Sequence, residues 1–330
     1  MFALDVSQAA PGFERIVAPG SVLERVAHGL IFTEGPVWVP AAHPHPGPLP
    51  VGEGARRAGE GALIFTDIRG DRLIRWRPGL GLETLYAPSS KANGLTLDQQ
   101  GRIVVAGWGS RTVWRLEPDG SVTVLASHWQ GKKINTPNDI VQKSDGTIWW
   151  TDMANAVYIP GMCDEDVQRY LDFEGVFRVG PDGSDMTLLG DDFVGPNGLC
   201  FSPDESLLYV NETPRRRIRV FDVRPDNTLS NGRVFYTDTG TEPGVPDGMK
   251  VDVEGNVYCT GSAGFHVIDP NGRLLGRVHV PEHVSNLAWG GEDWRTLYIT
   301  ARGVVYRTWL GIPGVPHGQK YRQQVLAPAR

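Results

Sequence analysis

The 330-residue sequence has few cysteines and no long apolar run, and both absences limit what the protein can be. Its three cysteines, Cys163, Cys200 and Cys259, are odd in number and far apart. They therefore fit neither a disulfide framework nor a cysteine-based zinc site. Cys200 and Cys259 lie in strand-like apolar runs, so we expect them in the core.

No apolar run approaches the roughly 20 residues that a membrane-spanning helix requires, and the N-terminus lacks the basic and apolar regions of a signal peptide. We therefore expect a cytoplasmic protein without a membrane partner. The net charge is −6, and Lys and Arg are scattered along the chain. Because binding to nucleic acid requires a basic surface that follows the phosphates, we expect no nucleic-acid partner.

Long apolar stripes of helical period are also missing, whereas Gly (41) and Pro (25) are abundant. Short β-rich runs alternate with turns, and one pattern recurs six times: a polar residue, an apolar strand, a turn and further strands. The residues that start these repeats are Glu34, Asn93, Asn138, Asn197, Asp247 and Asn286. They are spaced 39 to 59 residues apart. Repeats of this kind predict an all-β, six-bladed β-propeller that forms a single domain over 1–330, with the residues before 34 and after 310 completing or closing a blade.

Two segments interrupt the repeat. Residues 40–61 are rich in Pro and Gly, which predicts a surface loop. Within it, His43 and His45 have a spacing that can bind metal. Residues 153–174 form a long insertion between strands of the third repeat. Such insertions are usually functional or disordered, and the aromatic residues of this one favour a lid over one face.

The six starting residues predict a site because the inner strands of a propeller line its central channel. Equivalent positions therefore lie on one ring, which here carries two carboxylates and four carboxamides. Two negative charges close together raise each other's pKa, and a cation would relieve the repulsion. Oxygen ligands favour a hard ion, with Ca²⁺ preferred to Mg²⁺, and Mn²⁺, Zn²⁺ or Fe²⁺ are alternatives. The competing interpretation is that Asn before Gly only forms a turn.

At these residues the sequence resembles the gluconolactonase, senescence-marker-protein (regucalcin) and luciferin-regenerating-enzyme family of six-bladed propellers. The resemblance extends from about 25 to 310. It rests on TEGPVW (33–38), INTPNDIVQKSDGTIWWTD (134–152), GPNGLCFSPDESLLYV (195–210), PDGMKVDVEGNVYCTG (246–261) and SNLAWGGEDWRTLYITA (285–301).

The resemblance implies one divalent metal and hydrolysis of a sugar lactone. Its ligands would be Glu34, Asn197 and Asp247, with Asn138 as a fourth ligand or a substrate contact. Asp247 would also act as the base. The chain departs from the family at Thr136, where some members carry an Arg, and at Trp108, where bacterial lactonases often have a loop that contains His.

Lactone hydrolysis requires a polarised carbonyl and an activated water. We expect Asp247 to act as the general base, with direct attack by Asp247 on the substrate as the rival mechanism. Trp108 and the insertion, with Tyr158 and Glu174, would form the pocket wall. His266 alternates with apolar residues on a strand, which is typical of a core or channel-wall histidine, and a substrate contact is the alternative.

Other chemistries lack their sequence signatures. The chain contains no G-x-S-x-G nucleophile motif, and GWGSR (107–111) is not a dinucleotide fingerprint. Two further functions stay open on the same scaffold: an esterase or organophosphate hydrolase, and a calcium-binding propeller without catalysis. The expected partner is a small sugar lactone. Its identity and ring size, and the oligomeric state, are left open.

Overall fold

A computed structural model describes residues 1–41, 61–164 and 166–316. In this part of the chain, six antiparallel sheets of four or five strands account for nearly all the regular structure. The helical elements described are short 3₁₀ turns at Phe13–Arg15, Asn155–Tyr158 and Thr213–Arg215. The predicted all-β, six-bladed propeller is confirmed. His43, His45 and most of the predicted surface loop lie outside the described residues.

The strands follow one another blade by blade along the chain. Three strands come first: β1 (Phe2–Ala3), β2 (Asp5–Ser7) and β3 (Val22–His28). Blade 1 contains β4 (Thr33–Val39), β5 (Ala62–Asp67), β6 (Arg72–Arg77) and β7 (Gly81–Tyr86). Blade 2 contains β8 (Leu95–Leu97), β9 (Ile103–Gly107), β10 (Thr112–Leu116) and β11 (Val122–Ala126), and a separate ribbon pairs β12 (His128–Trp129) with β13 (Lys132–Lys133).

The second half repeats the arrangement. Blade 3 contains β14 (Thr136–Gln142), β15 (Ile148–Met153), β16 (Gly175–Val179) and β17 (Thr187–Gly190). Blade 4 contains β18 (Pro196–Phe201), β19 (Leu207–Glu212), β20 (Arg217–Val223) and β21 (Leu229–Thr237). Blade 5 contains β22 (Met249–Val251), β23 (Val257–Gly261), β24 (Gly264–Ile268) and β25 (Leu274–His279), and blade 6 contains β26 (Val284–Gly290), β27 (Thr296–Ala301) and β28 (Val304–Trp309).

The N-terminal segment completes the last two blades. Strand β3 pairs antiparallel with β28, and β1 pairs with β3, so blade 6 contains strands from both ends of the described chain. Strand β2 pairs with β25 at the edge of blade 5. The pairing of β3 with β28 closes the ring of blades, and both pairings cover sheet edges that would otherwise expose unpaired backbone groups.

The blades pack face to face, which explains why their middle strands are apolar on both sides. Every residue of β5 is buried, from Ala62 to Asp67. Aromatic pairs bridge neighbouring strands and blades: Trp38 stacks on Tyr298 at 5.2 Å between ring centroids, and Trp150 stacks on Phe177 at 5.5 Å. Burial of such side chains is the main force that holds a propeller together.

Five of the described hairpins share one turn chemistry. In each, an aspartate Oδ1 accepts hydrogen bonds from the backbone N–H and the hydroxyl of the Ser or Thr two residues later, which satisfies polar groups that the turn exposes. The aspartates are Asp119, Asp145, Asp182, Asp204 and Asp226.

The three cysteines are buried and unbridged. Cys200 and Cys259 belong to the apolar cluster between blades 4 and 5, as expected from their strand-like surroundings. Within the described ranges, no helix has the length and apolarity required to cross a membrane.

Candidate active site

The six repeat-start residues occupy equivalent places at the beginnings of the inner strands. Asn93 and Asp247 lie two residues before β8 and β22, which matches the sequence prediction of a position just before the strand. The other four lie inside their strands instead. They are Glu34 in β4, Asn138 in β14, Asn197 in β18 and Asn286 in β26.

Each of these four strands has a register irregularity at that point. The shifts fall between Glu34 and Val37, Pro137 and Ile140, Pro196 and Leu199, and Val284 and Asn286. A bulge leaves a residue unpaired and re-aims its side chain. The bulges leave Asn138 and Asn197 without a strand partner, which explains how these two face the channel, whereas Glu34 pairs with Thr66 directly beside its irregularity.

Glycine follows the starting residue in four blades, and the structure gives a reason other than a turn. A Cβ added at Gly35 or Gly94 would collide with the backbone of the next blade's starting residue, and one at Gly198 would collide with the Asp247 carbonyl. A Cβ at Gly248 would collide with the Asn286 side chain. The glycines therefore permit neighbouring inner strands to approach closely.

Side chains of the second strands fix the positions of these segments. The Thr66 hydroxyl donates to the Asn93 carbonyl at 3.1 Å, and the Thr151 hydroxyl donates to the Asn197 carbonyl at 2.6 Å. Asn211 Nδ2 donates to the Asp247 carbonyl at 2.5 Å. Each bond joins one blade to the starting residue of the next, so the geometry of the ring is held by the blades around it.

These residues surround one cavity of about 220 Å³. Its polar lining contains Glu34, Asn93, Asn138, Asn155, Asn197, Asp247 and Arg69. The structure thus brings the four predicted metal ligands to one place. Asn286, the sixth member of the ring, lies behind them and donates through Nδ2 to Glu34 Oε2 at 2.9 Å.

The remaining lining is apolar and comes largely from one cluster. Trp108 is 7% exposed and packs with Ile68, Met162, Ile159 and Phe32, all of which line the cavity. Ile159 and Met162 come from the predicted insertion 153–174, so that segment contributes to the cavity wall. The indole Nε1 of Trp108 has no hydrogen-bond partner among the described residues.

Burial gives the two acidic residues unusual protonation behaviour. Loss of solvent, together with the nearby negative charge of Asp139, raises the pKa of Glu34 to about 7. Hydrogen bonds from Gly35 and Asn286 and the positive charge of Lys250 act in the opposite direction but do not cancel this rise. Burial also raises the pKa of Asp247 well above its usual range, with further contributions from Glu34 and Asp139. Two desolvated carboxylates that lie close together favour either protons or a cation between them.

A half-buried lysine lies near Glu34. Lys250 Nζ donates to Asn286 Oδ1 at 3.2 Å and lies 3.9 Å from Asp139 Oδ2. Asn286 in turn contacts Glu34, so Lys250 and Glu34 are linked through one amide. The sequence interpretation missed both Lys250 and Asp139. Their positions directly beside inner-strand motifs, in DGMK and PND, are the signal that could have revealed them.

The carboxylate and amide oxygens that line the cavity are suited to a hard cation. No cluster of three or more His, Cys, Asp or Glu side chains suited to a metal occurs in the described ranges. A cation bound by only two carboxylates would need further, neutral oxygen ligands, and Asn138 and Asn197 can supply them. Asn93 Oδ1 and Asp139 Oδ2 are buried without a hydrogen-bond partner in the part of the chain described. Such unsatisfied oxygens beside buried carboxylates are compatible with Ca²⁺ or a similar ion.

Three predicted substrate contacts are not among the residues that line this cavity. Tyr158 is 64% exposed. Both Glu174 carboxylate oxygens accept backbone N–H groups, from Ala154 and Gly195 at 2.7 Å, so Glu174 anchors the insertion. His266 is buried at the interface of blades 4 and 5, where Nδ1 bonds to the Tyr236 hydroxyl and Nε2 to the Ser262 carbonyl.

The cavity also contains residues that the sequence interpretation did not single out. Arg69 lies in the turn between β5 and β6, and Asn155 lies in the 3₁₀ turn of the insertion. Phe32 and Ile68 complete the apolar wall. Turns between the second and third strands end at the same rim as the starting residues. This topological fact was available from the predicted propeller.

Comparison with known proteins places the chain in a family. Residues 32–303 match the model described as "SMP-30/Gluconolactonase/LRE-like region", so the chain belongs to this family of propellers. A gluconolactonase of Zymomonas mobilis is 28% identical over 92% of this chain and 85% of its own length. A solved gluconolactonase structure from Xanthomonas campestris superposes with a TM-score of 0.80 at 29% identity, covering 94% of this chain and 95% of the other.

Regucalcin of Oryctolagus cuniculus is 27% identical over 82% of this chain and 93% of its own length. The family named in the sequence analysis is therefore confirmed, and so is the enzyme class, a carboxylic-ester hydrolase of the lactonase type.

Proposed function

We propose that the protein hydrolyses a sugar lactone with the help of a divalent cation. The observation that carries the proposal is one cavity in which two carboxylates, the buried Glu34 and the half-buried Asp247, face carboxamides and an apolar wall built around Trp108. The polar part suits a cation and a carbonyl group, and the indole suits the C–H face of a sugar ring. The gluconolactonase relatives support this substrate class.

The residues that would hold the cation are Glu34, Asn197 and Asp247, with Asn138 as a fourth ligand or a substrate contact. Carboxylate and carboxamide oxygens from different strands favour Ca²⁺, with Mg²⁺, Mn²⁺, Zn²⁺ and Fe²⁺ as alternatives. When bound, the cation supplies Lewis-acid polarisation of the lactone carbonyl.

Asp247 supplies the base. One carboxylate oxygen would contact the cation, and the other would accept a proton from the attacking water. The water oxygen adds to the carbonyl carbon, the ring C–O bond breaks, and the proton passes from Asp247 to the departing ring oxygen. The product is the open hydroxy acid. General-base catalysis of this kind contributes about 10²–10⁴-fold.

Other residues orient the substrate. Asn138 would hold the substrate or the developing oxyanion. Residues of the insertion 153–174, including Asn155, Ile159 and Met162, would cover the ring and exclude water. Glu174 holds this segment in place through its two backbone contacts, so its role is structural rather than direct.

A panel of aldonolactones, aryl esters and organophosphates tests the reaction in a pH-indicator assay, with and without chelator. We expect turnover of lactones, loss of activity on chelation and recovery on adding back Ca²⁺. Asp247→Asn should lower kcat by at least about 100-fold. Asp252→Asn, a buried aspartate of the blade 5 hairpin, is the control and should retain activity. Unchanged turnover in Asp247→Asn would reject it as the base.

The same panel separates the competing functions. Preference for aryl esters or organophosphates would favour the second hydrolase function, and cation binding without turnover of any ester would indicate a calcium-binding propeller. Single turnover in ¹⁸O-water distinguishes the two roles of Asp247. Label incorporated into the Asp247 carboxylate, or an acyl group trapped on Asp247 by rapid quenching, would indicate direct attack, whereas label found only in the product with no trapped acyl group supports the general base.

A further inference from the structure

Arg69 is held at the edge of the cavity by a well-anchored turn. The turn joins β5 to β6, and its backbone is fixed by bonds from Ile68 N to the Phe32 carbonyl at 2.9 Å and from Asp71 N to the Ile68 carbonyl at 3.1 Å. Asp67 Oδ1 also accepts the backbone N–H groups of Ile31 and Phe32, at 3.1 and 3.0 Å. The backbone that carries the Arg69 side chain therefore has a defined position beside Phe32 and Ile68.

The other charges of this turn are paired. Asp67 binds Arg72 at 3.1 Å, and Asp71 binds Lys91 at 3.2 Å. Both carboxylates of the DIRGDR segment are therefore already neutralised. Arg69, in contrast, has no ion pair, hydrogen bond or ring contact with any residue in the ranges 1–41, 61–164 and 166–316.

Arg69 is also the only cation among the described residues that line the cavity. Phe32 and Ile68, which are bonded to each other through the backbone in this turn, contribute apolar side chains to the same lining. The two lining carboxylates, Glu34 and Asp247, are the proposed cation ligands, and neither lies within ion-pair distance of Arg69. An unpaired guanidinium at the entrance to a substrate cavity is suited to an oxyanion, which it can bind through two parallel N–H groups.

We infer that the lactone substrate carries an anionic group, a carboxylate, sulfonate or phosphate, on a carbon away from the lactone carbonyl, and that Arg69 binds this group. The inference rests on the proposed lactonase function. The carbonyl would lie at the carboxylate end of the cavity, and the charged group would lie at the rim. Arg69 thus determines specificity without taking part in the chemistry.

The test compares kcat/KM for glucono-1,5-lactone with values for its analogues that bear sulfonate, phosphate or carboxylate at carbon 6. We expect the wild type to prefer at least one charged analogue. Arg69→Met should lower kcat/KM for that analogue by about 10- to 100-fold, the usual range for a lost charge-assisted hydrogen bond. The neutral lactone should change by less than about twofold. Arg69→Lys should retain part of the preference, and added salt should weaken it.

Arg302→Met is the matched control. Arg302 occupies the corresponding turn of blade 6, between β27 and β28, is exposed like Arg69 and lines a different cavity. Its replacement should leave the charge preference unchanged. If the wild type hydrolyses neutral and charged lactones equally, or Arg69→Met lowers both equally, the inference is overturned while the lactonase function stands. If the wild type hydrolyses none of these lactones, both are overturned.

Discussion

At the scale of single residues, the carboxylates of Glu34 and Asp247 couple cation binding to pH. Burial and the nearby charge of Asp139 raise the pKa of Glu34 to about 7, and burial with the charges of Glu34 and Asp139 raises that of Asp247 well above its usual range. Below these values the cation-free protein carries protons at the site, and a cation must displace them. Apparent Ca²⁺ affinity should therefore rise as the pH increases through about 7, with proton release on binding.

Calorimetric titration of chelated protein at about pH 6 and about pH 8, in buffers of different ionisation enthalpy, measures both effects. Glu34→Gln should bind more weakly and release fewer protons. Asp252→Asn is the control because Asp252 is also buried, with a pKa raised to about 6 by loss of solvent, but it does not line the cavity. An affinity that does not vary with pH would show that these carboxylates do not hold the cation.

At the scale of strands, the close approach of neighbouring blades depends on the glycine that follows four of the six starting residues. A methyl group at Gly198 would press on the Asp247 carbonyl and lie 2.9 Å from Asn211 Nδ2 and 3.0 Å from Met249 N. Gly198→Ala should therefore displace Asp247. We expect destabilisation of about 1–3 kcal/mol, typical of overpacking, and at least about a tenfold loss of Ca²⁺ affinity.

Urea unfolding and calorimetry measure the two quantities. Gly131→Ala is the control, because Gly131 has a left-handed φ of +79° and no atom within 4 Å of the added Cβ. Backbone strain there should lower stability by about 1 kcal/mol without changing Ca²⁺ affinity. Equal affinities in the two variants would mean that the contact between blades 4 and 5 does not position Asp247.

The same strands show what the sequence could and could not predict. The repeat predicted that Glu34, Asn138, Asn197 and Asp247 converge, because symmetry brings equivalent positions together regardless of their separation in the chain. It could not place Tyr158, Glu174 and His266. These residues lie outside the repeated positions, so their surroundings depend on how the insertion folds and how two blades pack.

Glu174 illustrates the difficulty. A carboxylate in an insertion near a predicted site suggests a substrate contact, yet both of its oxygens are taken by backbone N–H groups. Arg69 is the opposite case, since no motif distinguishes it in the sequence. The folded chain pairs Asp67 with Arg72 and Asp71 with Lys91. These ion pairs are the reason for the inference that Arg69 binds a ligand.

At the scale of the whole molecule, the propeller is closed by β3, which pairs with β28 and places an N-terminal strand in the last blade. Leu23 of this strand is 1% exposed and belongs to the large apolar cluster that also contains Trp289 and Tyr298. Its neighbour Val22 is 45% exposed. The stability of the pairing between β3 and β28 should therefore depend far more on the burial of Leu23 than on that of Val22.

Leu23→Ala should lower the free energy of unfolding by about 2–5 kcal/mol, the usual cost of a buried leucine truncated to alanine. Val22→Ala, the control in the same strand, should change it by less than about 1 kcal/mol. Urea unfolding followed by tryptophan fluorescence measures both, and far-UV circular dichroism shows whether the transition stays single. Because β3 closes the ring that holds Glu34 beside Asp247, we also expect Ca²⁺ to raise the unfolding midpoint of Leu23→Ala. Equal free energies of unfolding in the two variants would show that β3 contributes little to the stability of the propeller.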